Sequence, residues 1–162
     1  MTVQLSKRSI VVIEDSDEDY GVTEWALKEA GISNPIHRCA DAASIDELLD
    51  MRSAWPHALA ASYPFLILLD LNVPGTDWRK TLHRLRHHPY WQPIPVVVIS
   101  TSKHPNDLAD CYGLGAAGYL VKLLDLDAFA AAMQRLIAYW LETVTLPDPT
   151  GLPTIERPTA RN

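Results

Sequence analysis

Short apolar runs recur along the chain, and most of them end on polar residues. The clearest run covers residues 65–69, and Asp70 and a Pro-Gly turn follow it. An uninterrupted apolar run bounded by turn residues is typical of a strand buried on both faces of a parallel sheet. A shorter and more polar run at 35–39 favours an outer strand. Five strands are predicted in this way, at residues 9–15, 35–39, 65–70, 94–100 and 117–122.

Apolar residues at helical spacing separate the predicted strands. Ser16 or Asp17 can cap the first helix, because a short side-chain oxygen accepts hydrogen bonds from the free amides of the first turn. Gly31 is predicted to end that helix in a left-handed conformation. Strands that alternate with helices predict an α/β fold of the flavodoxin-like type, a doubly wound five-stranded parallel sheet between two helical layers. The predicted helices are residues 17–30, 41–51, 77–87, 105–114 and 126–141.

Two segments lack a clear pattern. Residues 52–64, where Trp55-Pro56 interrupts the helical spacing, are predicted to form an elongated connection into the third strand. Residues 143–162 contain several prolines and almost no apolar periodicity. We therefore expect one domain over residues 1–142, followed by an extended tail or dimerisation arm.

Composition narrows the class of protein. The 162 residues are 48% hydrophobic and 21% charged, as expected for one globular domain. A net charge of -6 argues against nucleic acid as a partner. No apolar run approaches the roughly 20 residues that span a bilayer, and no signal-peptide pattern is present, so a membrane location is not expected. Cys39 and Cys111 have no metal-like spacing, which favours free, buried thiols and the cytoplasm.

The polar residues that follow the strands suggest a site. The carboxyl ends of parallel strands lie at one edge of the sheet, so these residues are expected to meet. Converging carboxylates repel each other, and a hard divalent cation such as Mg²⁺ relieves that repulsion. A carboxylate next to a cation, a lysine and a hydroxyl is suited to accept a phosphoryl group, with Asp70 as the nucleophile. The residues concerned are Glu14, Asp15, Asp70, Ser100, Thr101 and Lys122.

Four motifs in this order resemble the receiver domain of two-component response regulators, over residues 8–141. The motifs are residues 13–15, 69–75, 95–100 and 115–122. The resemblance implies that Asp70 accepts a phosphoryl group from a sensor histidine kinase. It also implies that Glu14, Asp15, Asp70 and the main-chain carbonyl of Asn72 hold magnesium.

The resemblance also implies roles for residues that surround the phosphoacceptor. Ser100 matches the switch hydroxyl, Tyr119 matches the aromatic residue that follows its movement, and Lys122 matches the lysine that pairs with phosphoryl oxygens. Asn72 and Ser102 lie where family members vary the residues that govern the rate of dephosphorylation.

Two residues depart from the family pattern. Trp78 replaces the usual glycine after the aspartate of the loop, so a different loop shape is expected. Leu123 replaces a proline that is commonly joined by a cis bond, and a cis bond to a non-proline residue costs roughly 3 kcal/mol. A different aim of Lys122 is therefore expected.

A narrower resemblance is to the stand-alone regulators that partner phytochrome (bacteriophytochrome) histidine kinases. It rests on the long connection before the third strand, on residues 89–95 and 139–147, and on the missing proline after Lys122. In that group a C-terminal extension takes part in homodimer formation. This implies a dimer role for an apolar set in the present chain: Trp140, Leu141, Val144 and Leu146.

The sequence also allows other functions. A magnesium-dependent phosphohydrolase would need a second acid, and Asn72 occupies the natural place for it. A flavin or nucleotide binder would need a phosphate-holding loop where Glu14 and Asp15 stand. A non-phosphorylated dimerisation scaffold is the third alternative. His83 and His87 favour a solvated helix face over a metal site. Three tryptophans are expected at the surface, facing a partner or as ordinary exposed aromatics: Trp55, Trp91 and Trp140.

Overall fold

The computed structural model describes residues 5–50 and 63–148. Its strands form one parallel sheet in the order β2-β1-β3-β4-β5. The predicted five-stranded doubly wound sheet is therefore confirmed. The strands are β1 (Ile10–Ile13), β2 (Ile36–Cys39), β3 (Leu66–Leu69), β4 (Val96–Ser100) and β5 (Gly118–Val121).

The α-helices follow the strands as the sequence predicts, with one difference. The predicted helix over residues 126–141 ends at Ala138, and a π-helical turn over Tyr139–Thr143 continues it. A short 3₁₀ helix, Leu5–Lys7, precedes β1. The α-helices of the described residues are α1 (Asp17–Glu29), α2 (Ala42–Asp50), α3 (Trp78–His87), α4 (Pro105–Gly113) and α5 (Leu126–Ala138).

Burial along the strands explains the sequence pattern. Every residue of β1, β3 and β4 is buried, because these strands lie inside the sheet with helices on both faces. Strand β2 lies at one edge and is only partly buried, which accounts for its polar sequence and confirms the predicted outer position. The register places Ile10 beside Ile36 on one side and Leu66 on the other.

Alternate residues of the strands pack into two separate hydrophobic cores, one on each face of the sheet. Val11 and Ile13 of β1 face a core that includes Leu82 of α3 and Cys111 of α4. Residues such as Val12 face the opposite core, which contains buried residues of α1 and α5. The sheet therefore lies between two helical layers, as predicted. This architecture brings the carboxyl ends of all five strands to one edge.

The prediction of free, buried thiols is confirmed, whereas the expected surface position of Trp91 is wrong. Cys39 and Cys111 are buried free thiols, and burial raises the pKa of each to about 11. Trp91 is buried in the core rather than at the surface. Arg86 donates hydrogen bonds to the carbonyls of Trp91 and Ile94, so the loop can turn inward without leaving those groups unpaired.

Three of the sequence predictions fall outside the described residues. They concern most of the connection into β3 (52–62), the side chain of Trp55 within it, and the last part of the tail (149–162). Trp140 is half-buried against the core beside α1 and α5.

Candidate functional site at the carboxyl edge of the sheet

The predicted site residues lie at the ends of adjacent strands. Glu14 follows β1, and its amide donates to the Cys39 carbonyl at 3.0 Å. The amide of Asp70 donates to the Ile13 carbonyl at 3.0 Å, and the amide of Lys122 donates to the Ser100 carbonyl at 2.8 Å. These bonds extend the parallel ladders beyond the strands. The backbones that carry the acids and the lysine are therefore fixed by the sheet itself.

Three carboxylates meet at this edge. Glu14, Asp15 and Asp70 each place an oxygen within 4.8 Å of the others. Glu14 and Asp70 are only 3% and 6% exposed, and Asp15 is half-buried. Buried carboxylates at this spacing repel each other unless a cation compensates them. An all-oxygen donor set suits a hard divalent cation, so the residues present fit a metal such as Mg²⁺ or Mn²⁺.

The described ranges contain no other group of three or more side chains placed to hold a metal. His83 and His87 lie on the exposed face of α3, where their rings stack with centroids 3.9 Å apart. Near the acids, the amide of Asn72 donates to Asp70 Oδ1 at 3.1 Å. That bond fixes one oxygen of Asp70 against the turn that follows β3.

Lys122 neutralises part of this negative charge. Its Nζ donates to Glu14 Oε2 at 2.6 Å, to Asp70 Oδ2 at 3.1 Å and to Asp19 Oδ2 at 2.7 Å. All three protons of the ammonium group thus have a carboxylate partner. Despite Leu123, the lysine reaches Asp70, so the expectation that it would aim elsewhere is wrong. The described residues have no cis peptide bond, and the Lys122–Leu123 bond is trans.

The electrostatics of the site follow from burial and charge. Burial, together with the hydrogen bond and the charge of Asp70, raises the pKa of Glu14 to about 7. Burial alone would lower the pKa of Lys122, but its hydrogen bonds to Asp19 and Glu14 and the charge of Asp70 outweigh that effect. The pKa of Lys122 is therefore raised, and its ammonium stays charged at neutral pH.

Arg38 clamps the loop that carries the first two acids. From the edge strand β2 it donates to the carbonyls of Glu14 and Asp15, each at 3.0 Å, and to Asp17 Oδ1 at 2.7 Å. Its guanidinium also stacks on the ring of Tyr20, 4.6 Å from the centroid. Sequence reasoning missed this role. The sequence feature that pointed to this role was an arginine near the end of a short edge strand, next to the strand that carries the acids.

Asp19 is the second residue that sequence reasoning missed. It lies in the first turn of α1, where its amide donates to the capping hydroxyl of Ser16 at 3.1 Å. The signal for it was weak, because its partner Lys122 is 103 positions away in sequence. Only the fold brings the start of α1 next to the end of β5.

Ser100 and Tyr119 both form hydrogen bonds with Ser102, in the loop after β4. Ser100 is fully buried, and its Oγ accepts a hydrogen bond from the amide of Ser102 at 3.1 Å. The Tyr119 hydroxyl donates to the Ser102 carbonyl at 3.0 Å. The Ser102 hydroxyl in turn donates to Asp107 Oδ2 of α4 at 2.7 Å. The loop after β4 thus links the buried hydroxyl, the aromatic residue and α4.

Trp78 starts α3 instead of extending the loop before it. Asp77 caps the helix by accepting from the amide of Arg79 at 3.0 Å. Trp78 is almost fully buried, and the Arg79 guanidinium covers its ring at 4.2 Å from the centroid. The bulky side chain is therefore accommodated by the core and by its neighbour.

Comparison with known proteins places this site in a family. The sequence profile described as the response regulator receiver domain matches residues 10–134. The chain belongs to the response regulator receiver family. Such a receiver implies a sensor histidine kinase as its partner. None of the described helices is long and apolar enough to cross a bilayer.

The relatives include regulators linked to phytochromes. Response regulator Rcp1 of Synechocystis sp. is 33% identical over 138 residues, which covers 85% of this chain and 92% of Rcp1. The phosphorylated cyanobacterial phytochrome response regulator RcpA superposes with a TM-score of 0.75 at 31% identity, covering 86% of this chain and 98% of that one. A response regulator in red light signaling of R. palustris superposes with a TM-score of 0.77 at 28% identity and the same coverage. Rcp1 also has a Mn²⁺-bound form.

Proposed function

We propose that this receiver accepts a phosphoryl group on Asp70 from a sensor histidine kinase. The observation that carries the proposal is the position of the Asp70 carboxylate, which is buried beside two other acids and held by Lys122 at 3.1 Å. An oxygen of Asp70 attacks phosphorus, and the bond between phosphorus and the kinase histidine breaks. The bonding electrons stay on the imidazole nitrogen. The product is an aspartyl phosphate, and no separate substrate is turned over, so we place this chain among phosphoacceptors rather than enzymes.

Magnesium is the proposed cofactor. Glu14, Asp15, Asp70 and the main-chain carbonyl of Asn72 would hold it. When bound, the ion offsets the charge of the acids and of the incoming phosphoryl oxygens. The residues of the chain supply the rest. Lys122 stabilises the charge that develops on the phosphoryl oxygens, and Arg38 keeps the acid-bearing loop in place through its carbonyls.

Ser100 and Tyr119 form the proposed switch. A Ser100 hydroxyl that turns to bond a phosphoryl oxygen gives up the hydrogen bond from the Ser102 amide. The loop then shifts, and the Tyr119 hydroxyl loses its partner on the same residue. Phosphorylation would thus favour one of two loop arrangements that already exchange, and α4 follows because Asp107 binds Ser102.

The partner and the assembly are also proposals. The resemblance to the phytochrome response regulator RcpA supports a phytochrome as the kinase. The tail after residue 142 is proposed as a dimerisation arm appended to a receiver domain of residues 1–142. This proposal is supported by a set of apolar residues that follow the exposed Tyr139 at the end of α5 and remain partly accessible. The set consists of Trp140, Leu141, Val144 and Leu146.

Phosphorylation with phosphoramidate tests the central proposal. The full chain is treated with and without Mg²⁺ and read by intact mass and by light scattering after size exclusion. We expect a magnesium-dependent gain of a single phosphoryl group that Asp70→Asn abolishes. Glu18→Gln, an exposed acid in the first turn of α1, is the matched control and should react like wild type. A wild-type chain that gains no phosphate with Mg²⁺ would favour the scaffold alternative.

A further inference from the structure

Asp19 contacts the site without belonging to its acid cluster. The carboxylates grouped for a cation are Glu14, Asp15 and Asp70, whereas Asp19 lies outside that group and accepts a hydrogen bond from Lys122 at 2.7 Å. We propose that Asp19 is a positioning residue for Lys122, holding the ammonium beside Asp70 while the other acids are engaged. This inference rests on the proposed phosphoacceptor role of Asp70.

The lysine needs such support because its backbone constrains only its first atoms. The hydrogen bond from the Lys122 amide to Ser100 fixes the end of β5. The next residues pack poorly: Leu123 is 40% exposed and Leu124 is fully exposed. A lysine side chain has a flexible four-carbon stem, and it loses rotamer entropy when it is held in one place. Its position therefore depends on the partners of Nζ.

Asp19 is well suited to that task because it is mounted rigidly. The Ser16 cap fixes its amide at the start of α1. On either side of it, Asp17 is bound by Arg38 and the ring of Tyr20 is covered by Arg38. The first turn of α1, which carries Asp19, is thus tied to the edge strand β2 as well as capped by Ser16.

Asp19 differs from the other partners of Lys122 in one respect. Glu14 and Asp70 offer the oxygens that a cation and a phosphoryl group require, so their bonds to the ammonium compete with the chemistry. Asp19 lies outside that cluster, so its bond does not compete. Asp19 is therefore the partner that Lys122 can keep throughout phosphorylation.

Asp19 and Lys122 line an open cleft of about 180 Å³ whose other walls include Val22, Leu126 and Phe129. The side chain of Asp19 remains 45% exposed, so its removal leaves no buried cavity. A variant at this position is expected to fold normally.

The test compares Asp19→Ala and Asp19→Asn with Glu18→Gln in the full-length chain. Glu18→Gln removes the same charge one residue away, and Glu18 is not among the carboxylates that Lys122 binds, so this variant corrects for the general effect of charge on anionic reagents. The first readout needs no metal. It is the rate of acetylation of Lys122 relative to exposed Lys80, measured on peptides by mass spectrometry in the presence of EDTA. The second is the rate of phosphorylation by phosphoramidate with Mg²⁺.

We expect Asp19→Ala to raise the relative acetylation of Lys122 about threefold to fivefold, as the loss of a half-exposed ion pair allows. Its phosphorylation should slow by a similar factor, with Asp19→Asn intermediate and Glu18→Gln like wild type. Acetylation equal to wild type in both Asp19 variants overturns the inference, even if Asp70 takes up phosphate normally. Raised acetylation in a chain that takes up no phosphate supports the positioning role and refutes the phosphoacceptor proposal instead.

Discussion

Arg8 provides a sharp test of how the opposite edge of the sheet is held together. It is only 3% exposed, yet it carries a charge. Its guanidinium donates to the carbonyls of Pro64 at 2.8 Å, Tyr63 at 3.3 Å and Pro147 at 3.2 Å. It also lies over the ring of Tyr63, 5.2 Å from the centroid. One side chain thus joins the start of β1, the entry to β3 and the tail.

These contacts determine how much stability the protein should lose when Arg8 is replaced. Arg8→Met keeps most of the side-chain volume but removes every hydrogen bond of the guanidinium. The bonds to the buried carbonyls of Tyr63 and Pro64 involve a charged donor, and such bonds contribute about 1.5–3 kcal/mol each. Burial disfavours the charged form of Arg8 and lowers its pKa. Replacing Arg8 removes this cost of burying a charge, which offsets part of the stability lost with the hydrogen bonds. We expect a net loss of about 2–4 kcal/mol in the free energy of unfolding.

Thermal and urea unfolding, followed by circular dichroism, measure this loss. For a chain of this length it corresponds to a fall in Tm of about 4–16 °C. Arg79→Met is the matched control. That guanidinium also stacks on an aromatic ring and binds an acid, but it is largely exposed and should contribute about 1 kcal/mol or less.

The same variant should release the tail. Arg8 donates the hydrogen bond that links the segment before β1 to the Pro147 carbonyl. Exchange of the backbone amides at residues 144–146 and 148 should therefore accelerate in Arg8→Met and not in Arg79→Met. Equal stability losses in the two variants, or unchanged exchange in the tail, would refute the assignment of Arg8 as the clamp of this edge.

Two further outcomes follow from the site and the core. Arg38→Ala should weaken Mg²⁺ binding about tenfold by calorimetry, because the loop that carries Glu14 loses its anchors; unchanged affinity would count against that role. Cys39 and Cys111 should resist a disulfide reagent at pH 8 in the native protein and react fully in urea. Burial raises the pKa of each thiol to about 11, so the thiolate is scarce below that pH, and rapid native labelling would contradict their burial.

The central strands could be predicted from sequence because of what parallel sheets require. A strand covered on both faces has no solvent-facing positions, so β1, β3 and β4 appear as unbroken apolar runs. The acids, the hydroxyl and the lysine could be assigned for a related reason. Each directly follows or ends a strand, and strand ends in this fold converge whatever the loops do.

The end of α5 could not be predicted in the same way. Apolar residues continue at helical spacing past Ala138, but the backbone changes to a π-helical turn, in which the amide of Val144 donates to the carbonyl of Tyr139 at 3.1 Å. The turn keeps Trp140 and Leu141 against the same core as the helix. The spacing of apolar residues shows which side of a helix is apolar, but it does not show whether the backbone hydrogen bonds are α-helical or π-helical.

Asp19 and Arg38 show why the support of the site is harder to predict than its reacting groups. Acidic residues are common in the first turn of any helix, since they complement its dipole, and α1 has Asp17, Glu18 and Asp19 there. Only the one whose side chain points towards β5 meets Lys122, and that direction depends on the angle at which α1 crosses the sheet. Arg38 on the edge strand β2 helps to fix the position of the first turn of α1, because it binds Asp17 and the backbone of the preceding loop. The chemistry of the strand ends follows from topology, whereas the direction of the Lys122 side chain depends on Asp19 in the first turn of α1, 103 residues earlier in the sequence.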